Sequence, residues 1–274
     1  MVDETGNSYE ATDNGEPDAF AQAGGPLKAY EDLAFLRSGD ARIIRVIAEL
    51  IEPQFRLERK GIKDTVVFFG SARMRADAAE VAHPGMRALS SYYEDARELA
   101  YRITKWNQER PDDRQFVVCS GAGPGIMEAA SRGARDAGGE SIGFGISIPE
   151  EQGVNAYVTP ELAWEFHYFF LRKFWFLYNA KALVYFPGGF GTMDEMMEAL
   201  TLLQTQKIRK RMGLLLFGAD YWKSVLNLDA MVAHGVIAKE DRELFIIVDC
   251  VDDAFSHICT FLEENYGPSL LDEH

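Results

Sequence analysis

Short apolar runs alternate with longer amphipathic stretches along most of this 274-residue chain. The runs are rich in β-branched and aromatic residues with little polar alternation, as expected for strands covered on both faces. The predicted strands are Thr65–Phe69, Gln115–Cys119, Ser141–Ile146, Ala182–Phe186, Gly213–Phe217 and Phe245–Val248. The predicted helices are Met86–Trp106, Gly125–Ala137, Glu161–Tyr178, Thr192–Gln206, Tyr221–His234 and Asp252–Asn265. Strands separated by helices build a parallel sheet, so the pattern predicts a doubly wound α/β domain.

The segments before and after this alternation differ from it in composition. Residues 1–26 carry six acids and no base, together with Gly and Pro, and we expect disorder there because little apolar surface is available for burial. Residues 27–60 have apolar positions at helical spacing and predict a helical arm. The main domain is expected over residues 61–266, followed by a C-terminal tail, residues 267–274.

The net charge of −15 is concentrated at the two ends of the chain. Residues 27–260 hold every basic residue and carry a net charge of only −5. A chain with this charge is not expected to bind a nucleic acid polymer or an anionic membrane through a general basic field, although a pocket for a small phosphate remains compatible with it. The sequence therefore favours a small-molecule partner.

The cellular location is expected to be cytoplasmic. No stretch reaches the roughly 18 unbroken apolar residues of a membrane span, and the N-terminus lacks the features of a signal peptide. The three cysteines, Cys119, Cys250 and Cys259, have neither disulfide-framework nor metal-site spacing. We expect no metal and no cofactor.

Glycine-rich loops follow three of the predicted strands, at Phe69–Arg73, Ser120–Gly125 and Pro187–Thr192. Ligands of doubly wound sheets bind beyond the carboxyl ends of the strands. Glycine lets the backbone approach a ligand, and the following helix N-terminus favours phosphate. The loops match neither the G-x-G-x-x-G dinucleotide fingerprint nor the phosphate-binding loop G-x-x-x-x-G-K-[ST]. They predict a phosphate site of another type.

Charged residues accompany the third loop. Glu195 lies three residues after Thr192, one helical turn from the loop, where it would reach a sugar attached to the phosphate; the alternative is a capping box formed by the two side chains. Arg172 and Lys173 interrupt an aromatic helix upstream. Adjacent helical residues diverge by about 100°, so we expect one cation to face the ligand and the other to face solvent or an acid, with arginine better suited to the phosphate.

These motifs occur in the order found in one known family. Pro187–Glu195 is similar to the signature P-G-G-x-G-T-x-x-E, Arg172–Lys173 to an upstream Arg-Lys pair, Gly123–Ala130 to a second glycine-rich loop and Gly70–Arg73 to a first. Over about Thr65–Val248 the chain therefore resembles the Lonely Guy family, the cytokinin riboside 5′-monophosphate phosphoribohydrolases, many of which carry the label lysine decarboxylase. One departure is Ala122, which stands where the family has glycine.

The resemblance implies a Rossmann-like nucleotide-binding fold, usually a homodimer, that hydrolyses a nucleoside 5′-monophosphate to free base and ribose 5-phosphate. By the family pattern Arg172 and Glu195 are the catalytic pair. The expected substrate-binding residues are Gly70, Ser71, Gly121, Gly123, Gly125, Met127, Lys173, Gly188, Gly189, Gly191 and Thr192. The helix Thr192–Gln206, with its Met and Leu residues, is the expected dimer contact.

Other functions remain open from the sequence. The strongest alternative is a nucleotide-binding or sensor protein that uses the same loops without hydrolysis. The basic run Lys207–Arg211 fits a second anion site in such a protein, and it also fits a solvated helix end whose cations complement the helix dipole. Amino-acid decarboxylation follows only from the family label, since nothing marks a lysine for pyridoxal phosphate. The sequence does not indicate which base is preferred.

Overall fold

The computed structural model describes residues 26–111, 115–148 and 153–267. The predicted disordered tail, residues 1–26, lies outside the described residues except for Pro26, as does the C-terminal tail, residues 267–274, except for Gly267. The chain divides into two units, residues 1–48 and residues 49–274. Their boundary falls inside a long helix, α2, Arg42–Arg59.

The first unit contains α1, Leu33–Arg37, and the start of α2. Asp32 caps α1, since its Oδ1 accepts a hydrogen bond from Phe35 N at 3.0 Å. Arg45 Nη1 donates to the Leu36 and Ser38 carbonyl oxygens at 2.7 and 2.6 Å. Residues 27–60 thus contain two helices joined by a turn.

Seven parallel strands form one sheet in the described part of the second unit, in the order β4-β3-β2-β1-β5-β6-β7. The chain moves outward from β1 to β4, returns to β5 beside β1, and then moves outward to β7. This reversal confirms the doubly wound α/β prediction and places a crevice between β1 and β5. The strands are β1 Asp64–Phe69, β2 Phe116–Ser120, β3 Ser141–Ile146, β4 Ala163–Phe166, β5 Ala180–Tyr185, β6 Gly213–Phe217 and β7 Ile246–Val248.

Helices cover both faces of the sheet. They are α3 Pro84–Ala88, α4 Ser91–Gln108, α5 Ile126–Asp136, α6 Phe169–Tyr178, α7 Phe190–Gln204, α8 Ala219–Val225, α9 Leu228–Ala233 and α10 Val251–Tyr266. Successive strand residues point to opposite faces. Phe68 accordingly packs in the core formed with α4, α5 and α10, whereas Phe69 meets Phe176 of α6 with ring centroids 5.0 Å apart. None of the helices in the described ranges has the length and apolar character that crossing a bilayer requires.

The six predicted strands are confirmed to within two residues at each end, but strand β4 was predicted as part of the helix Glu161–Tyr178. That prediction is wrong for its first half. Residues 163–166 alternate between the two faces, with Trp164 and Phe166 buried and Glu165 exposed. Four residues are too few for this alternation to stand out beside the aromatic run that follows, where α6 begins at Phe169.

Two other predicted helices are interrupted. Met86–Trp106 consists of α3 and α4, and Tyr221–His234 of α8 and α9. The second break falls at Asn227, whose side-chain oxygen accepts a hydrogen bond from Ala230 N at 2.9 Å and so starts a new helix.

Candidate active site

The three glycine-rich loops meet at the carboxyl edge of the sheet, beside the crevice between β1 and β5. Ser71 N, after β1, donates a hydrogen bond to the Pro187 carbonyl oxygen, after β5, at 3.0 Å. Ile126 N, after β2, donates to the Ser71 carbonyl oxygen at 3.2 Å. Together the loops border a cavity of about 630 Å³, within the usual size range of small-molecule sites.

Ten of the sequence-predicted site residues line this cavity: Gly70, Ser71, Gly121, Met127, Arg172, Gly188, Gly189, Gly191, Thr192 and Glu195. The other three predicted site residues, Gly123, Gly125 and Lys173, do not line the cavity. Gly125 has a φ of +71°, and a Cβ there would lie 2.2 Å from the Ser71 carbonyl oxygen, so this glycine allows the second loop to pack on the first. The Gly123 carbonyl oxygen accepts a hydrogen bond from Asn155 Nδ2 at 3.1 Å.

Asn155 also holds Ala122, the residue that stands where the resembled family has glycine. Ala122 has a φ of +63°, which an L-residue rarely adopts. Its carbonyl oxygen accepts hydrogen bonds from Asn155 N at 2.8 Å and Asn155 Nδ2 at 3.1 Å. The second loop therefore keeps a glycine-like backbone conformation at residue 122.

The N-terminus of α7 carries no side-chain cap. Gly189 is the N-cap residue and α7 begins at Phe190, which places Thr192 inside the first turn. The alternative interpretation, in which Thr192 and Glu195 form a capping box, is therefore wrong. Uncapped N–H groups and the helix dipole make this end an anion-binding position. The turn is tight, because a Cβ at Gly188 would lie 2.1 Å from Thr192 Oγ1.

Arg172 reaches into the cavity from α6. Its side chain is held by carbonyl groups of β3 and of the loop after β2. Its Nε donates a hydrogen bond to the Phe144 carbonyl oxygen at 2.7 Å, and its Nη2 lies 3.4 Å from the Gly121 carbonyl oxygen. Its guanidinium also lies over the Phe176 ring, 5.1 Å from the centroid. A Cβ at Gly121 would lie 2.4 Å from Nη2, so the glycine makes room for the arginine. These contacts fix the guanidinium near the ends of β2 and β3.

Lys173 points away from the cavity toward acids of α7. Its Nζ lies 3.0 Å from Asp194 Oδ2 and 2.7 Å from Glu198 Oε2. The two adjacent cations therefore diverge, with Arg172 at the cavity and Lys173 at two acids. Lys173 was expected to bind substrate, but the two carboxylates hold its ammonium group between α6 and α7.

Glu195 lies one turn into α7 with its side chain on the cavity wall. Its pKa is raised from 4.5 to about 7, chiefly by burial; Arg172 and Lys173 lower it, and Asp194 and Glu198 raise it. Within the described ranges its carboxylate makes no hydrogen bond. A carboxyl group with a pKa near 7 is suited to changing its ionisation during catalysis at neutral pH.

Among the lining residues that had no role in the sequence prediction are Tyr221 and Arg73. Tyr221, from α8, donates its hydroxyl hydrogen to the Gly188 carbonyl oxygen at 2.5 Å. Arg73, in the loop after β1, presents its side chain at the cavity wall. Tyr221 could have been found from the sequence, because it is an aromatic residue shortly after β6, the strand next to β5. Arg73 could also have been found, because it belongs to the glycine-rich loop Phe69–Arg73.

The remaining charged features lie elsewhere. In the described part of the chain, no group of three or more His, Cys, Asp or Glu residues is arranged to hold a metal ion. Of the basic run, Lys210 Nζ donates hydrogen bonds to the Leu177 and Tyr178 carbonyl oxygens at 2.6 Å each. Its cation therefore complements the C-terminal end of α6.

Comparison with known proteins finds similarity over the part of the chain that holds these residues. Residues 127–258 match the family model described as "Possible lysine decarboxylase". The chain is similar to the "Probable cytokinin riboside 5′-monophosphate phosphoribohydrolase LOG4" of Oryza sativa subsp. japonica, 29% identical over 136 residues, or 48% of this chain and 57% of the relative. It is also similar to the "Cytokinin riboside 5′-monophosphate phosphoribohydrolase LOG" of the same organism, 30% identical over 160 residues, or 57% and 62%. The matches thus span less than two thirds of these relatives.

A solved structure of the molybdenum cofactor carrier protein of Chlamydomonas reinhardtii is 22% identical, with a TM-score of 0.46 over 73% of this chain and 98% of that chain. At this TM-score the likeness bears on neither activity nor substrate. The family model matches the part of the chain that contributes Arg172 and Glu195 to the cavity. The matched residues 127–258 include both of these residues and the loop Pro187–Glu195.

Proposed function

We propose that this protein is a phosphoribohydrolase that cleaves the N-glycosidic bond of a nucleoside 5′-monophosphate, giving free base and ribose 5-phosphate. The observation that carries the proposal is that Arg172 and Glu195 border one cavity together with the uncapped N-terminus of α7. The relatives described above are named as enzymes of this reaction class. Their names specify cytokinin riboside 5′-monophosphate as substrate, and we include that compound among the candidates here.

The order of the strands supports one orientation for the nucleotide. The phosphate position is at the start of α7, after β5, whereas the Arg172 guanidinium is anchored at Gly121, after β2, and at Phe144 of β3. These strands are two and three positions from β5, which corresponds to about 10–14 Å at the usual strand spacing. A nucleotide can span this distance with its phosphate at α7 and its base near Arg172.

Glu195 then acts on the sugar between these two ends. As the base departs with the bonding electron pair, positive charge develops on the ribose, and an ionised carboxylate nearby stabilises this transition state more than the ground state. Water supplies hydroxide to C1′, and its remaining proton ends on the departing base. Glu195 holds a ribose hydroxyl or orients this water, and Arg172 assists the departure of the base.

The wall around Arg172 is largely apolar where the base is expected. Met127, Ile146 and Phe176 line this part of the cavity. Such side chains accept the flat faces of a base without selecting one hydrogen-bonding edge. The choice among bases is therefore a question for a substrate panel.

The test is a product assay with AMP, GMP, CMP, UMP and a cytokinin riboside 5′-monophosphate, with the corresponding nucleosides alongside. We expect equimolar free base and ribose 5-phosphate from at least one monophosphate, and a much lower rate from its nucleoside. Nucleotide binding in a thermal-shift assay without release of base over hours would instead support the sensor function.

A further inference from the structure

The loop after β1 carries an arginine, Arg73, that lines the same cavity as the proposed phosphate position. Arg73 N donates a hydrogen bond to Ser71 Oγ at 3.1 Å, which makes a tight turn of the loop. Ser71 is in turn bonded to Pro187 at the start of the α7 loop, as described above. Because β1 and β5 are adjacent, Arg73 extends from a loop fixed directly next to the α7 N-terminus.

The cavity needs a cation at this end. Its lining includes two cations, Arg73 and Arg172, and two carboxylates, Asp194 and Glu195. Arg172 is held at the far side by the Phe144 carbonyl oxygen. A phosphate monoester carries about −1.5 to −2 charges at pH 7, and a helix N-terminus supplies only about half a positive charge. The α7 terminus, with two carboxylates in its first turns, does not balance a 5′-phosphate by itself.

Arg73 differs from its near neighbour in how its side chain is used. Arg75 Nη1 donates hydrogen bonds to the Ala72 and Met74 carbonyl oxygens at 2.8 Å each, so it maintains the shape of the loop. The Arg73 side chain is exposed, and within the described ranges its guanidinium makes no hydrogen bond or ion pair. A rigid backbone with an unengaged guanidinium at the cavity wall is suited to bidentate binding of a phosphate.

We infer that Arg73 binds the 5′-phosphate opposite the α7 N-terminus and is the residue through which the protein prefers a phosphorylated over an unphosphorylated ribose. This inference rests on the proposed function for its substrate, but the ligand it requires is any ribose 5-phosphate ester. Arg73 is a binding residue that acts on the phosphate and takes no part in bond cleavage.

The kinetic test compares Arg73→Ala and Arg73→Lys with a matched control, Arg209→Ala, on a nucleoside monophosphate and its nucleoside. Arg209 is also exposed and without a contact in the described ranges, but it lies outside the cavity lining. Loss of a charge-assisted bidentate contact should raise KM for the monophosphate about 10- to 100-fold, with kcat changed less than about threefold. Arg73→Lys should recover part of this loss. The nucleoside kinetics and the Arg209→Ala variant should stay at wild-type values.

Two kinetic results overturn the inference: an unchanged KM for the monophosphate in Arg73→Ala, or an equal rise for the nucleoside.

A binding experiment separates the inference about Arg73 from the proposed reaction. Titration calorimetry with ribose 5-phosphate and with ribose should show that wild type binds only the phosphate ester and that Arg73→Ala binds it at least about tenfold more weakly. That result without any nucleotide hydrolysis refutes the proposed function and leaves the inference standing. Equal binding by both proteins, or no binding by wild type, overturns the inference.

Discussion

The Tyr221 hydroxyl and the Gly188 carbonyl oxygen lie 2.5 Å apart, joined by a hydrogen bond that tyrosine donates. This contact ties α8 to the turn at which α7 begins. The glycine-rich turn is thereby held from the β6 side by Tyr221 and from the β1 side by Ser71. The orientation of the N–H groups at the phosphate position depends on both contacts.

Tyr221→Phe should weaken substrate binding without abolishing the reaction. A hydrogen bond of this kind contributes about 0.5–1.5 kcal/mol net, so KM for the monophosphate should rise about 2- to 10-fold. Ser224→Ala is the control, because it removes the hydrogen bond from Ser224 Oγ to the Tyr221 carbonyl oxygen and leaves Gly188 untouched. Equal KM values for wild type and Tyr221→Phe would show that the turn does not need this support.

Glu195→Gln should make the protein more stable, and the gain should depend on pH. The folded-state pKa of Glu195 is raised from 4.5 to about 7, so the folded protein retains a proton that the unfolded chain has lost between these values. The wild-type free energy of unfolding therefore falls, relative to the variant, as pH rises from 4.5 to 7, by about 2–3 kcal/mol in total. Denaturant titrations at pH 5, 6, 7 and 8 measure the difference. A difference that is constant across this range would contradict the burial of a carboxylate.

The rate should follow the ionisation of the same group. If ionised Glu195 stabilises the ribosyl cation, kcat/KM rises with pH and levels off above an inflection near pH 7. The substrate phosphate ionises near pH 6, so kcat at saturating substrate is measured alongside. A rate that falls as pH rises through 7 would assign Glu195 the role of a proton donor.

Lys173→Met should move this inflection to higher pH. Lys173 lowers the pKa of Glu195, and it also neutralises Asp194 and Glu198, which raise it. Loss of the cation should shift the inflection upward, and activity should recover at pH values above the new inflection. Lys173→Arg keeps the charge and should stay close to wild type. An unshifted inflection with low activity at every pH would mean that Lys173 acts only in folding.

The protein should form a homodimer through the exposed aromatic face of α6. Phe170, Phe174 and Tyr178 follow one side of this helix at intervals of four residues and are 59%, 40% and 53% exposed. Large apolar side chains in one row are typical of an interface. Of the contact predicted on α7, Met196 is fully buried within the protomer, and Met197 remains exposed. Light scattering should give twice the 30.7 kDa chain mass.

Phe174→Glu should lower that mass to one chain by placing a charge in the interface. Val236→Glu is the matched control, since Val236 is also exposed but lies outside α6. A wild-type mass of one chain at micromolar concentration would rule out the dimer. A dimer that persists in Phe174→Glu would place the interface elsewhere.

The sequence predicts the sheet well because its buried strands are apolar runs bounded by glycine. It misses β4, where Trp164 and Phe166 merge with the aromatic residues of α6. The pairing of Arg172 with Glu195 is implied by the family resemblance, and both residues line the same cavity.

The orientation of side chains depends on tertiary contacts that no local pattern encodes. Arg172 is directed by the carbonyl oxygen of Phe144, 28 residues earlier in the chain. Lys173 is directed by Glu198 on a different helix. The hydrogen bond from Tyr221 to Gly188 connects α8, which follows β6, with the loop after the neighbouring strand β5. The start of α7 at Phe190 excludes the capping box that the local sequence permits.

The central claim is that Glu195 stabilises cleavage of an N-glycosidic bond in the cavity it shares with Arg172. The most direct measurement is the rate of free-base release from a nucleoside 5′-monophosphate by wild type and by Glu195→Gln, with ribose 5-phosphate binding as the check on folding. The account predicts release by wild type, a loss of about 100-fold or more in kcat for the variant, and undiminished ribose 5-phosphate binding. No release by wild type, or release by Glu195→Gln at the wild-type rate, would contradict it.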